Sequence, residues 1–123
     1  MRLATLKRGG RDGTLVAVSD DGARVAPVTG YATLQAALDD WDAAQDALTA
    51  AVKAAASGEV VAPADFAAPL PRAWQWLDGS AFTNHAKLME TAFNMPPIET
   101  DLPLMYQGMS HQFIAPTDDV PFP

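Results

Sequence analysis

Apolar and polar positions alternate in short blocks over the first thirty residues. This pattern predicts a small antiparallel sheet. Leu3 to Leu6 reads as one strand, and the polar, glycine-rich run Arg8-Gly9-Gly10-Arg11-Asp12-Gly13 as a connection. Leu15 to Val18 follows as a second strand. Asp20-Asp21-Gly22 supplies a turn in which Gly22 is free to take positive φ, and Arg24 to Val28 returns as a third strand. The glycines are conformational in this reading, because a phosphate-binding loop would need different spacing and a helix directly after it.

The period then changes. Thr33 is a suitable N-cap, since its hydroxyl can accept from a backbone N–H that has no helical partner. Leu34, Leu38, Trp41, Leu48 and Val52 recur at spacings of three, four and seven, the stripe of one long amphipathic helix. Trp41 is taken as a core residue, with its loss to alanine expected to cost about 3–5 kcal/mol. The surrounding alanines favour helix, and Ser57-Gly58 is the expected stop, with glycine accepting the left-handed conformation after the last turn. Asp39, Asp40, Asp42 and Asp46 cluster along this helix and read as a solvated face rather than a metal site.

Nine of the ten prolines lie beyond residue 60, and Pro63, Pro69 and Pro71 forbid a continuous helix there. The expected organisation is α+β, with an amino-terminal cap over residues 1–68 and the start of a second, mixed β-rich domain over 69–123. A further helix fits from about Ser80 to Phe93, followed after Pro96-Pro97 by a strand from Leu102 to Tyr106. Ala115 to Pro123 has the character of a connection into another strand, so the chain is expected to be part of a longer polypeptide.

Composition narrows the function classes. The chain has 123 residues, 49 % of them hydrophobic and 19 % charged, ordinary proportions for a folded domain. A formal charge of -7 argues against a partner held through nucleic-acid phosphates. Cysteine is absent, which excludes disulfides, thiolate metal sites and cysteine nucleophiles. The start, Met-Arg-Leu-Ala-Thr-Leu-Lys, lacks the apolar core of a signal peptide, and no apolar run is long enough to span a bilayer. A cytoplasmic protein without membrane contact is expected.

Few side chains are candidates for chemistry. The histidines are His85 and His111. His85 lies in a helical apolar pattern, where a packed histidine is the common outcome and a general base the alternative, imidazoles as a class exchanging protons near neutral pH. His111 lies in a loop-like stretch and is the weaker candidate. Asp78, between Trp74-Gln75-Trp76-Leu77 and Gly79, is either a metal ligand or an Asp-Gly turn residue. The chain holds no Glu-x-Glu pair, and magnesium or calcium needs about six or more oxygens.

Four segments resemble bacterial two-domain fumarylacetoacetate hydrolase family proteins. They are Met1 to Leu6 with Arg11-Asp12-Gly13, Leu34 to Trp41, Ala68 to His85, and Leu102 to Ser110. The resemblance implies a metal-dependent hydrolase that breaks a C–C bond in a fumarylacetoacetate-like β-diketo acid, acts as a homodimer when intact, and uses Mg2+ or Ca2+ to stabilise the enolate-like leaving carbanion. It makes His85 the general base, Asp78 the first metal ligand and Tyr106 a substrate contact.

The pattern departs from the family at Leu88, where some branches carry a glutamate three residues after the histidine, and no arginine follows His85. The remaining acidic ligands are expected beyond Pro123, so this chain alone is expected to be inactive. Two other readings stand beside this one: a non-catalytic α+β module that dimerises or binds a partner, and a hydratase or isomerase of 2-keto acids on the same scaffold.

Overall fold

The computed structural model describes residues 1–97, 102–109 and 112–122. It is an α+β structure in two compact units, Met1–Ala73 with His111–Pro123, and Trp74–Ser110.

The first unit is built on a four-stranded antiparallel sheet. Its strands are β1 (Leu3–Leu6), β2 (Thr14–Val18), β3 (Arg24–Pro27) and β4 (Glu59–Val60), adjacent in that order. Leu3 pairs with Ala17, Val18 with Val25, and Arg24 with Val60. The expected strands are present within one residue at each end; the two-residue β4 is an addition. The β2–β3 turn is closed by side chains as well as by Gly22, whose φ is 75°. Ser19 Oγ donates to Asp21 Oδ1 at 2.6 Å, and that same oxygen accepts the Ala23 N–H at 3.0 Å.

Alternation along β2 distributes its side chains to two cores. Leu15 and Ala17, with Ala26 and Val28, face the helices. Val16, with Leu6 and Val25, packs against Val18, Val61 and Phe66 on the other face. The second core exists because the chain after β4 passes through a 3-10 turn (Pro63–Asp65) and comes back beside β1. There Phe66 bridges to Leu6, the Lys7 N–H donates to the Asp65 carbonyl, and the Ala67 N–H donates to that of Thr5. The buried Thr5 hydroxyl is satisfied by the Pro69 carbonyl at 2.6 Å. The sheet is therefore covered on both faces and its β1 edge is occupied.

The single long helix of the sequence reading is two helices, α1 (Leu34–Asp39) and α2 (Trp41–Ala55), separated by Asp40 at φ -131° and ψ 43°. Thr33 caps α1 as expected, its Oγ1 accepting the Ala36 N–H at 3.1 Å. Asp40 is a poor helix former, and here its carboxylate accepts the Tyr31 hydroxyl at 2.9 Å. On the α1 side of the break Ala37 is the buried residue. Ala44, Leu48, Ala51 and Ala55 face the sheet, whereas Leu38 and Trp41 are 43 % and 41 % exposed. Trp41 is thus not the core residue its bulk implied.

Gly58 is needed for a different reason from the one expected. Its φ is not left-handed; rather, a Cβ there would overlap the Val25 carbonyl oxygen. Helix α2 ends with the chain pressed against β3, and Arg24 donates to the Gly58 carbonyl at 2.9 Å. The tail also differs from a bare connection. Ala115 is buried, the Phe113 N–H donates to the Pro71 carbonyl at 2.9 Å, and Lys7 pairs with Asp118 at 2.5 Å. Among the described residues, no helix is long and apolar enough to cross a membrane.

Ion pairs and a turn hold three carboxyls below the usual carboxylate range. Arg72 donates to Asp12, the Ser19 hydroxyl and the Ala23 N–H donate to Asp21, and Arg8 donates to Glu59. A depressed folded-state value means that the unfolded chain binds these protons more readily. The stabilisation is then complete above the ordinary carboxylate range and is lost as pH falls through it. The melting midpoint should hold steady near pH 6 and drop below about pH 4. Asp21→Asn should start lower and drop less; an identical drop in the variant would remove Asp21 from the explanation.

Candidate functional site

All three candidate side chains lie in the Trp74–Ser110 unit, which comprises β5 (Leu77–Ser80), α3 (Thr83–Phe93) and β6 (Leu104–Gln107). Strands β5 and β6 pair antiparallel, with Leu77 opposite Gln107, Asp78 opposite Tyr106, Gly79 opposite Met105 and Ser80 opposite Leu104. The Asp-Gly dipeptide is therefore part of a strand, not a turn. Cross-strand hydrogen bonding over the whole of Leu77–Ser80 outweighs the local turn preference.

Pairing also accounts for the later start of the helix. Ser80 is held by Leu104, so α3 begins at Thr83 rather than near Ser80. Its first turn is closed by the His85 and Ala86 N–H groups donating to the Phe82 carbonyl. It ends at Asn94, which is left-handed at φ 49° and ψ 45° and lies just before Pro96-Pro97. Strand β6 begins after Pro103, which has no N–H to contribute to a ladder.

Directly opposed residues of a strand pair share a face, as do residues two apart along one strand. Asp78 and Tyr106 are thus neighbours on one face, with Trp76 and Gly108 continuing the same rows. The Gly108 N–H donates to the Trp76 carbonyl at 3.2 Å, and a Cβ at Gly108 would overlap the Trp76 ring. Trp76 in turn meets Tyr106 edge to face, with ring centroids 6.3 Å apart and planes at 81°. The lack of a side chain at Gly108 gives the indole its place, and the indole braces the phenol. The sequence reading did not assign Trp76 and Gly108 these roles; their only local signal is that each lies two residues from a candidate.

His85 occupies the first turn of α3 and is joined to β5 by Ala81-Phe82. The structure brings Asp78 and Tyr106 face to face by register, and ties His85 to them through that short link. All three side chains are exposed, and among the described residues none makes a side-chain hydrogen bond or ion pair. The set offers one carboxylate, one phenol and one imidazole, which can bind an oxygen-rich ligand and exchange its protons. His111, the weaker of the two histidine candidates, lies outside the described residues.

A catalytic divalent cation is not accommodated by these donors alone. Among the described residues no group of three or more histidine, aspartate or glutamate side chains is arranged to hold a metal. Asp78 supplies at most two of the roughly six oxygens that magnesium requires.

Among curated proteins, no match to the chain is found. The family described as Fumarylacetoacetase N-terminal domain 2 matches residues 1–72, the stretch that contains β1 to β4, α1, α2 and the Phe66 bridge. With more than half of its length matched, the chain belongs to the fumarylacetoacetase N-terminal domain 2 family.

Proposed function

We propose that this chain is the amino-terminal portion of a metal-dependent hydrolase that cleaves a C–C bond in a fumarylacetoacetate-like β-diketo acid. The observation that carries the reading is the family match over residues 1–72. The opposition of Asp78 and Tyr106 in the following unit supports it. In this proposal the four-stranded unit is scaffold, and the Trp74–Ser110 unit contributes one part of an active site.

The roles follow from the chemistry of each group. His85 takes a proton from the water that attacks the carbonyl, and Tyr106 donates a hydrogen bond to a substrate oxygen. Asp78 contributes one carboxylate oxygen donor. The described residues do not fit a magnesium or calcium ion unaided. The missing donors are proposed to be a Glu-x-Glu pair, which these 123 residues do not contain.

Calorimetric titration of the chain with Mg2+ and with Ca2+, alongside a fumarylacetoacetate cleavage assay, tests this directly. Neither tight metal binding nor turnover is expected from the chain alone, and both should appear when it is expressed continuous with its downstream reading frame. Tight magnesium binding and cleavage by the 123 residues alone, or a downstream frame without a Glu-x-Glu pair, would overturn the proposal.

A second reading, a non-catalytic partner-binding module, is favoured by one observation. No described residue from Trp74 to Met109 is buried, and Trp74, Phe82, Phe93, Leu102 and Met109 are all more than 60 % exposed. Sedimentation discriminates here, since a strictly monomeric chain at high concentration speaks against self-association through this surface.

A further inference from the structure

The chain's five arginines all lie in the Met1–Ala73 unit, and four have fixed partners. Arg2 donates to the Asp20 carbonyl, Arg8 to both oxygens of Glu59, Arg24 to the Gly58 carbonyl and Arg72 to both oxygens of Asp12. The guanidinium of Arg11 donates no hydrogen bond among the described residues. Yet Arg11 lines a cleft of about 430 Å³ with Pro71, Arg72, Gln112 and Phe113. It also lines an adjoining hollow of about 160 Å³ that shares Pro71 and Phe113.

The walls of this cleft are fixed from within the unit. The Phe113 N–H donates to the Pro71 carbonyl at 2.9 Å, which holds the two apolar side chains on adjacent strands of backbone. Arg72 is held by Asp12 through two hydrogen bonds of 2.7 and 2.6 Å, a fork-to-fork pair that neutralises it. Arg11 also feels the Asp12 carboxylate, so the two arginines and that one acid carry a single net positive charge, and the Arg11 fork of donors is unspent. The Gln112 amide adds a neutral donor and acceptor. The cleft is at the small end of the usual range for ligand pockets, and its lining combines an apolar wall with two arginines, of which Arg72 is hydrogen-bonded to Asp12.

The geometry points to a binding site for a small organic carboxylate with a planar apolar body, its carboxylate on Arg11 and its body against Pro71 and Phe113. A planar carboxylate matches a guanidinium fork bidentately, and the ring and pyrrolidine surfaces bury an apolar group that an inorganic anion lacks. The site is lined by residues of the four-stranded unit alone, and the test of it does not require the reaction proposed for Asp78, His85 and Tyr106.

The test titrates the full chain with benzoate, benzamide and inorganic phosphate, following backbone amide and Phe113 ring resonances. Saturable benzoate shifts are expected at Phe113 and around Arg11, with benzamide binding about tenfold more weakly, the scale of one lost charge-assisted pair. Arg11→Gln should weaken benzoate by a similar factor. Lys53→Gln, which removes the same charge from exposed helix surface, should leave it unchanged. Both substitutions are at exposed positions, and the same spectra report whether the fold is intact. The inference fails if Lys53→Gln weakens benzoate as much as Arg11→Gln, if benzamide or phosphate binds as tightly as benzoate, or if benzoate shifts at Phe113 never saturate.

Discussion

Leu48→Ala should be the most damaging single truncation in the four-stranded unit, lowering the unfolding free energy by about 2–5 kcal/mol and toward the top of that range. Leu48 is fully buried in α2, in a cluster with Leu15 and Val28 whose other buried members are six alanines: Ala17, Ala26, Ala37, Ala44, Ala51 and Ala55. Alanine has no rotamer to swing into a void, so the cavity left by the isobutyl group stays open. A denaturant midpoint that falls with an unchanged slope is the expected signature. Trp41→Ala is the matched control. Its larger ring already lies 41 % in solvent, so its loss should cost clearly less than that of Leu48. The reverse order would mean that the helix face is misassigned.

His85→Ala, made in the chain continuous with its downstream frame, should lower hydrolysis by about 10²–10⁴-fold, the range for removing a general acid–base group. The side chain is exposed on the first turn of α3 and makes no hydrogen bond among the described residues, so folding should be unaffected. Circular dichroism and the melting curve check that second expectation. Activity retained within a few-fold, in a variant that melts like the parent, would remove His85 from the proposed mechanism. A variant that melts early would instead assign it a packing role.

Much of the first unit was legible because its signals are local. Alternation over Leu3–Leu6 and Leu15–Val18, the Gly22 turn and the Thr33 cap each involve neighbours within a few residues. The helix face was not legible. Hydropathy weights Trp41 and Leu38 above Ala44 and Ala51, but the sheet lies close enough to α2 that small side chains fill the gap, and the bulky pair on either side of Asp40 stays partly in solvent. Strand β5 was missed for a different reason. Leu77-Asp78-Gly79-Ser80 has little strand propensity and becomes a strand only through partners at Leu104–Gln107, a pairing that no local window contains. Gly58 was identified as the stop, but the cause is the Val25 backbone and not the sign of φ. Of the candidate site, the closeness of Asp78 to His85 is written in the chain order. The opposition of Asp78 and Tyr106 depends on a register that only the fold supplies.

The return of residues 112–118 to the first unit bears on how the molecule is made. On a ribosome the sheet and both helices of that unit emerge early, and their pairings between sequence neighbours form quickly. The seam made by Phe113 on Pro71, the buried Ala115 and the Lys7–Asp118 contact must wait until all of Trp74–Ser110 has been translated. A nascent chain paused before that point therefore carries a formed sheet whose Pro71 side is still open to solvent.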